Sequence, residues 1–320
     1  MEELVTAACS AMATRFEIAL WGGAPANLRG TAAEALAEIE RLEAQLSAFR
    51  PDSDIADINA RAAREPVVVE PRLFALLQRA AEITHETGGA FDITVGPLLR
   101  AWGFAGGSGA PPDPAALAAA RAATGMGLVM LDADTWTVRF AREGVALDLG
   151  AIGKGYAIER AAGVVRGAGV GGALLHGGTS TVQAVGGRPD GTAWPVAIAD
   201  PARAGERIRV VQLRDSALSV SAPHGKWFTQ DGQMLGHVLD PRRGAPMRGA
   251  SLAAVMGVSA IDSDALSTGL LVLGPSFLER LRSLPGVAGL LVLEGPDGSP
   301  RVVETPGPLD AFGAHGYTKT

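Results

Sequence analysis

The sequence predicts an α+β fold, on three observations. Helical stripes and alternating strand patterns are both present, but they lack the strict strand–helix–strand alternation of a doubly wound sheet. Of the 320 residues, 47% are hydrophobic and 19% charged, against a typical charged share of about 25%, so a sizeable core is expected and wholesale disorder is not. Glycine (42) and proline (20) are frequent and aromatics make up only 5%, which implies many tight turns and a core of small side chains.

The elements follow in order. Residues 14–21 alternate as a strand does. Residues 31–49 place Leu36, Ile39, Leu42, Leu46 and Phe49 on one stripe with glutamates outside, an amphipathic helix. A short strand at 67–69 follows Pro66. Residues 72–87 read as a helix with Leu73, Leu76, Leu77, Ala80 and Ile83 inward and Gly88-Gly89 as its stop. Asp113-Pro114 opens another helix, an N-cap carboxylate followed by proline at the first helical position. Residues 128–131 and 135–140 form a hairpin around Asp132-Ala133-Asp134. A helix at 154–166 precedes strands at 173–175 and 182–185. Segments 194–199, 208–213 and 217–220 are expected to continue the sheet. A strand at 253–258 feeds a helix at 262–273, and 290–293 closes the sheet. The low-complexity stretch 105–112 is expected to be a flexible loop rather than a domain boundary.

Composition also excludes several functions. Cys9, the one cysteine, has no partner for a disulfide framework or a structural zinc site and reads as an ordinary strand residue. With a net charge of −6 and no run of Lys or Arg, the chain has no footprint for duplex nucleic acid. No stretch approaches the ~18 apolar residues of a membrane span. The N-terminus starts with Glu2 and Glu3 and lacks a basic n-region and an apolar h-region, so it does not read as a signal peptide. A cytoplasmic location is expected; a periplasmic chain from which a leader had been removed would read the same way.

Four segments carry chemistry. In 147–156, Asp148 ends a strand, glycines allow close backbone approach, and Lys154 stands where a helix starts. That combination suits a phosphorylated ligand, although the Walker A spacing is missing; the alternative is a glycine-rich turn with Lys154 in solvent. In 260–268, Asp264 and Thr268 share a helix face, and with Ser267 they offer three oxygen side chains in one turn, a hard-cation site suited to Mg²⁺. A cation there opposes the helix dipole and needs both the carboxylate and a ligand phosphate. The alternative makes Asp262 the N-cap and Asp264 a first-turn acid. In 236–244, His237 has the right pKa class for a general base, or is a structural histidine. In 172–180, His176-Gly177-Gly178 is similar to an esterase oxyanion turn. A serine hydrolase also needs a G-x-S-x-G elbow, which Gly106-Gly107-Ser108-Gly109-Ala110 misses. The glycine run 167–172 follows a helix, where a dinucleotide fingerprint requires a strand.

Taken in order, these segments resemble the ApbE family, the FAD:protein FMN transferases. The resemblance starts at Met12-Ala13-Thr14 and runs through 47–59, Gly89 to Leu98 (GAFDITVGPL) and Trp102-Gly103-Phe104. It continues through 148–156, Gly177-Gly178, 237–244 and 264–268. It implies one T-fold-like α+β domain over 1–320, with a mixed or antiparallel sheet flanked by helices. It further implies an Mg²⁺-dependent enzyme that takes FAD as substrate and transfers its FMN moiety to a threonine hydroxyl of a partner protein, releasing AMP. Some relatives hydrolyse FAD to FMN and AMP, and a module that only binds FAD is a further alternative. By the resemblance, Met12, Phe49, Ala90, Phe91, Asp92, Asp148, Lys154 and Val238 fall at flavin-binding positions. Ala151 (through its carbonyl), Asp264, Ser267 and Thr268 fall at metal positions. His237 falls where the acceptor hydroxyl is activated, and with Asp264 it forms the expected catalytic pair. The chain departs from the family pattern at Ala13 (usually Gly), His176 (often Asn), the 219–225 run and Arg243 (usually Thr). The departures point to a cytoplasmic subgroup and bear on its acceptor more than on its flavin binding.

Overall fold

A computed structural model describes residues 4–203, 205–223, 225–230, 232–294 and 300–305. Of the positions discussed above, residues 1–3, His224 and the end of the expected domain, 306–320, lie outside the described residues.

Strands β1 (Val5–Ala11) and β2 (Thr14–Trp21) open the chain as a hairpin, Ala11 pairing with Thr14 across a two-residue turn. Helix α1 (Pro25–Leu46) follows, with proline in its first turn where the missing N–H costs nothing. It buries Leu28, Ala32, Ala35, Leu36, Ile39, Leu42 and Leu46, the 3–4 spacing of one helix face. The helix therefore starts six residues earlier than expected, and its stripe ends at Leu46, leaving Phe49 off it and 68% exposed. Local hydrogen bonds set that end: Ser47 is extended, its carbonyl accepts from Ser53 Oγ, and its own Oγ accepts from the Phe49 amide. Nor is every α1 glutamate turned outward, since Glu43 accepts from the Met12 amide.

Helix α2 (Asp54–Arg61) is capped by Ser53, and α3 (Pro71–Glu86) by Glu70. Between them lies β3 (Val67–Val68). Gly88 and Gly89 take φ of 57° and 82°, the left-handed backbone that ends α3. Helices α4 (Gly96–Ala101) and α5 (Pro114–Ala122) follow, with Asp113 Oδ2 accepting the Ala115 and Ala116 amides as the sequence predicts. The loop between them is pinned by Ala110 N donating to Trp102 O. Strands β4 (Val129–Asp132) and β5 (Thr137–Phe140) make a small sheet with β3, in the order β3-β5-β4.

Next come α6 (Gly153–Gly167), β6 (Gly172–Gly177), β7 (Thr181–Val185), β8 (Trp194–Ala199), β9 (Arg207–Leu213) and β10 (Ala217–Ser221). The short strands β11 (Trp227–Gln230), β12 (Gln233–Gly236), β13 (Leu239–Asp240) and β14 (Ala245–Pro246) form two hairpins. The chain then forms β15 (Ala250–Gly257), α7 (Ala260–Leu273), α8 (Ser276–Arg282), β16 (Ala288–Glu294) and β17 (Pro300–Glu304).

The main sheet has eight strands in the order β1-β2-β6-β7-β10-β15-β16-β17, each neighbouring pair antiparallel. Helices α1, α6, α7 and α8 cover one face. The other face is apolar too: along β15, Ala253 and Val255 belong to the helix-side core, while Leu252 and Ala254 pack with Trp194, Ile198, Val211 and Leu213. This corrects one expectation. Strands β8 and β9 do not continue the sheet but pair with each other as a ribbon that buries its second face. Strand β10 rejoins the sheet beside β7. The sheet also extends past 288–294, because β17 pairs outside β16. Among the described residues no helix is long and apolar enough to cross a membrane.

Candidate active site

A cleft of about 700 Å³ opens where α6 and α7 begin beside β10, and five segments distant in sequence line it. They are the 90–95 loop, the 148–154 turn, residues 179–180 after β6, residues 220–222 with 225–226, and the 237–241 segment, with Asp264 and Thr268 at its base. A smaller lobe of about 270 Å³ shares Met12, Asp148, Gly150 and Lys154 with it and adds Glu43, Ser47 and Phe49.

Asp264 is 3% exposed, and its charge is met by a set of donors. Oδ2 accepts from the Gly155 amide at 2.9 Å; Oδ1 lies 3.0 Å from Ser219 Oγ and 3.3 Å from Thr181 Oγ1. The amide belongs to the first turn of α6, so the carboxylate of one helix caps the positive end of another. Only glycine permits this approach, because a Cβ on residue 155 would strike the Ala260 carbonyl and sit 2.8 Å from Asp264 Cβ. The N-cap of α7 is Ser259, whose Oγ accepts from the Asp262 amide, and not Asp262 itself, which pairs with Arg79 at 2.8 Å. A hydroxyl caps without adding a second buried charge beside Asp264.

Thr268 lines the cleft one turn after Asp264, as the i, i+4 spacing requires. Ser267 is fully buried and is not among the lining residues; its hydroxyl donates to Asp264 O and contacts Ser221 Oγ at 2.7 Å. Ser221 Oγ, 3.1 Å from Thr268 Oγ1, does line the cleft. Ala151 lines it as well. The donor set toward the cleft is thus one carboxylate with neutral oxygens. Among the described residues no three His, Cys, Asp or Glu side chains cluster as a metal cage. Such a set fits Mg²⁺, which takes one or two carboxylates and completes its shell with water and substrate phosphate.

On the adjoining wall, Asp148 Oδ1 accepts from the Gly150 amide and Lys154 Nζ donates to Gly150 O at 3.2 Å, so both charges border one glycine turn. Asp92 is 8% exposed and held on both oxygens: Oδ1 by the amide and hydroxyl of Thr94, Oδ2 by the Met126 amide. Burial raises its pKa, and these hydrogen bonds oppose the rise. Asp92 therefore ties the Ala90–Phe91 wall to the start of the β4–β5 unit, and it lines the cleft beside them.

His237 is half-buried. Its amide donates to Lys226 O at 2.9 Å, and its Nδ1 faces the Lys226 amide at 3.4 Å. Burial is the main cause that lowers its pKa; the charges of Lys154 and Lys226 act the same way, while backbone contacts at Lys226 and Pro223 oppose them. The net effect favours the neutral imidazole at the cleft wall. Val238 lies beside it.

Of the residues singled out in the sequence, Met12, Ala90, Phe91, Asp92, Asp148, Ala151, Lys154, His237, Val238, Asp264 and Thr268 meet at the cleft, Phe49 borders the smaller lobe, and Ser267 stands behind it. Sequence reasoning missed Thr181, Ser219, Ser221, Glu43 and Lys226. The alternation in Ser219-Val220-Ser221 is the one local signal, since it puts both serines on one face of β10. The hydrolase alternative gains nothing: His176 Nε2 pairs with Glu17 at 3.0 Å, Ser108 is exposed in the 105–112 loop, and neither lines the cleft.

The model of the ApbE family matches residues 12–291. The chain is 31% identical over 283 residues to the FAD:protein FMN transferase of Treponema pallidum, covering 83% of this chain and 78% of that one. It is 34% identical over 240 residues to an FAD:protein FMN transferase of Klebsiella pneumoniae, covering 74% and 73%. Among solved structures, the ApbE protein of Thermotoga maritima superposes with a TM-score of 0.86 at 28% identity, over 95% of this chain and 97% of that one. The apo form of the Pseudomonas stutzeri flavinyl transferase ApbE gives 0.86 at 28% identity, over 98% of each.

Proposed function

Because this chain belongs to the ApbE family, we propose that it transfers the FMN half of FAD to a threonine hydroxyl of a partner protein and releases AMP, with Mg²⁺ at Asp264. The observation that carries this reading is the meeting of three groups at one cleft: the Asp264–Thr268 pair, the Asp148–Lys154 turn and His237. They match the three needs of the reaction.

The acceptor oxygen attacks the phosphorus on the FMN side. A P–O bond forms there, the bond to the bridging oxygen breaks, and that oxygen leaves with AMP. His237, neutral for the reasons given above, takes the hydroxyl proton as the bond forms. Lys154 and the glycine turn hold phosphate oxygens, and Met12, Ala90, Phe91 and Val238 supply apolar walls for the flavin half. Asp264, Thr268 and Ala151 would hold Mg²⁺, which when bound polarises phosphoryl oxygens and offsets charge on the leaving phosphate. Buried donors hold the Asp264 side chain in place for that task. Transfer with threonine as acceptor and hydrolysis with water as acceptor use the same groups.

The test is to incubate the purified protein with FAD and Mg²⁺ and assay AMP, with and without a threonine-bearing candidate partner. AMP release together with flavin covalently bound to the partner is the expected result. AMP with free FMN alone would restrict the activity to hydrolysis, and no AMP would reject the reading.

A further inference from the structure

The chain has three lysines, and two of them, Lys154 and Lys226, line the same cleft. Lys226 lies between β10 and β11, exposed, with its backbone bracketing His237 through the two contacts described above. Its Nζ donates to Phe104 O at 3.3 Å and has no carboxylate partner among the described residues. Lys154 is placed the same way, its Nζ on Gly150 O, so both cleft lysines rest on neutral carbonyls. An ammonium with two further N–H groups gains more from an anion than from one peptide oxygen. The charge balance of the cleft points the same way. Its lining carries three carboxylates, Asp92, Asp148 and Asp264, and two ammonium groups, so Lys226 supplies half of the side-chain positive charge that an anionic ligand can meet there.

We propose that Lys226 binds the phosphate of FAD from the His237 wall of the cleft, as a second cation beside Lys154. The inference rests on the flavin-transferase reading in taking FAD as the anion. Recruitment of Lys226 would release Phe104 O and so couple ligand binding to the Trp102–Phe104–Phe228 aromatic cluster, whose rings lie 6.2 and 5.9 Å apart across Phe228.

FAD affinity, read from quenching of flavin fluorescence, tests this for the wild type, Lys226→Met and Lys226→Arg over a series of NaCl concentrations. Lys226→Met is expected to bind FAD about three- to tenfold more weakly, the range for a charge-assisted contact partly screened by solvent. Lys226→Arg keeps the charge and should stay near wild type. The gap between wild type and Lys226→Met should narrow as salt rises. Wild-type affinity in Lys226→Met overturns the inference alone, as does equal weakening in both variants or a gap that salt does not change. A wild type that fails to bind FAD overturns the inference and the functional reading together.

Discussion

Asp264 and Gly155, 109 positions apart in sequence, are joined by a 2.9 Å hydrogen bond from the glycine amide to the carboxylate Oδ2. The bond locks the start of α6 to the face of α7 that carries the candidate metal oxygens. A Cβ at position 155 has no room, since the nearest atoms are the backbone of Ala260 and the Cβ of Asp264. Gly155→Ala should therefore lower stability by about 1–3 kcal/mol, the usual cost of overpacking, and displace the carboxylate. A urea midpoint and AMP release measured on the same preparation check both effects. A variant unchanged in both would show that the helices do not need this contact.

Substitutions of Asp264 itself separate its structural and chemical roles. In Asp264→Asn, the amide oxygen can still accept from Gly155, and the NH₂ can face the hydroxyls of Ser219 and Thr181, with Ser219 free to donate to Ser180 O. Its urea midpoint should stay close to wild type. Asp264→Ala leaves those donors unanswered in a buried place, at a cost of about 1–3 kcal/mol. Both should lose Mg²⁺-dependent FAD turnover, because neither supplies the anion. An Asn variant with wild-type AMP release across a Mg²⁺ titration would remove Asp264 from the metal site.

How far the sequence revealed this arrangement depends on the range of each contact. Leu36, Ile39, Leu42 and Leu46 announce α1, and Asp264 with Thr268 announces a shared face, because helical spacing is written locally. Thr181 and Ser219 have no such signature. They meet Asp264 because β7 pairs with β10 in the register Thr181↔Ser219, and pairing between strands so far apart cannot be read from either alone. The ribbon β8–β9 shows the same limit: alternation identifies a strand but not the sheet it joins. Phe49 fits the stripe by its apolar character alone, while the Ser47 and Ser53 hydrogen bonds that end the helix before it are side-chain contacts invisible to periodicity.

The β1–β2 turn offers a test of backbone strain. Met12 and Ala13 take φ of 49° and 57°, left-handed values at both central positions, and neither is glycine. A left-handed L-residue costs about 1–2 kcal/mol, and glycine's extra chain entropy returns about 0.5–1 kcal/mol of any relief. Ala13→Gly should thus raise stability by about 0.5–1 kcal/mol, visible as a higher thermal midpoint. The Met12 amide stays anchored to Glu43 Oε1 at 2.6 Å, so FAD affinity should not fall. A lower midpoint would show that Ala13 packs in the smaller lobe more than it strains the turn.

His237 supplies the prediction that joins electrostatics to rate. Its pKa lies below the ordinary 6.5, chiefly because burial disfavours the charged ring, with Lys154 and Lys226 adding to the effect. A general base must be neutral, so turnover should hold through the pH where an ordinary histidine protonates and decline only below it. Stability carries the same sign. The unfolded chain binds the proton more readily than the folded one, so the contribution of the neutral ring is complete above the ordinary value and is lost as pH falls through the lowered folded-state value. His237→Asn should abolish the acidic limb of the rate profile and cut turnover by about 10²–10⁴-fold. FAD affinity should change little, since the cations proposed to meet phosphate are lysines. Lys226→Met provides the internal control: with one neighbouring cation gone, the ring protonates more easily and the limb should move to higher pH. Rate profiles of the three proteins, measured by AMP release, decide the matter. A limb that survives in His237→Asn would belong to another group, and lost FAD binding would make the ring part of the ligand wall instead of the base.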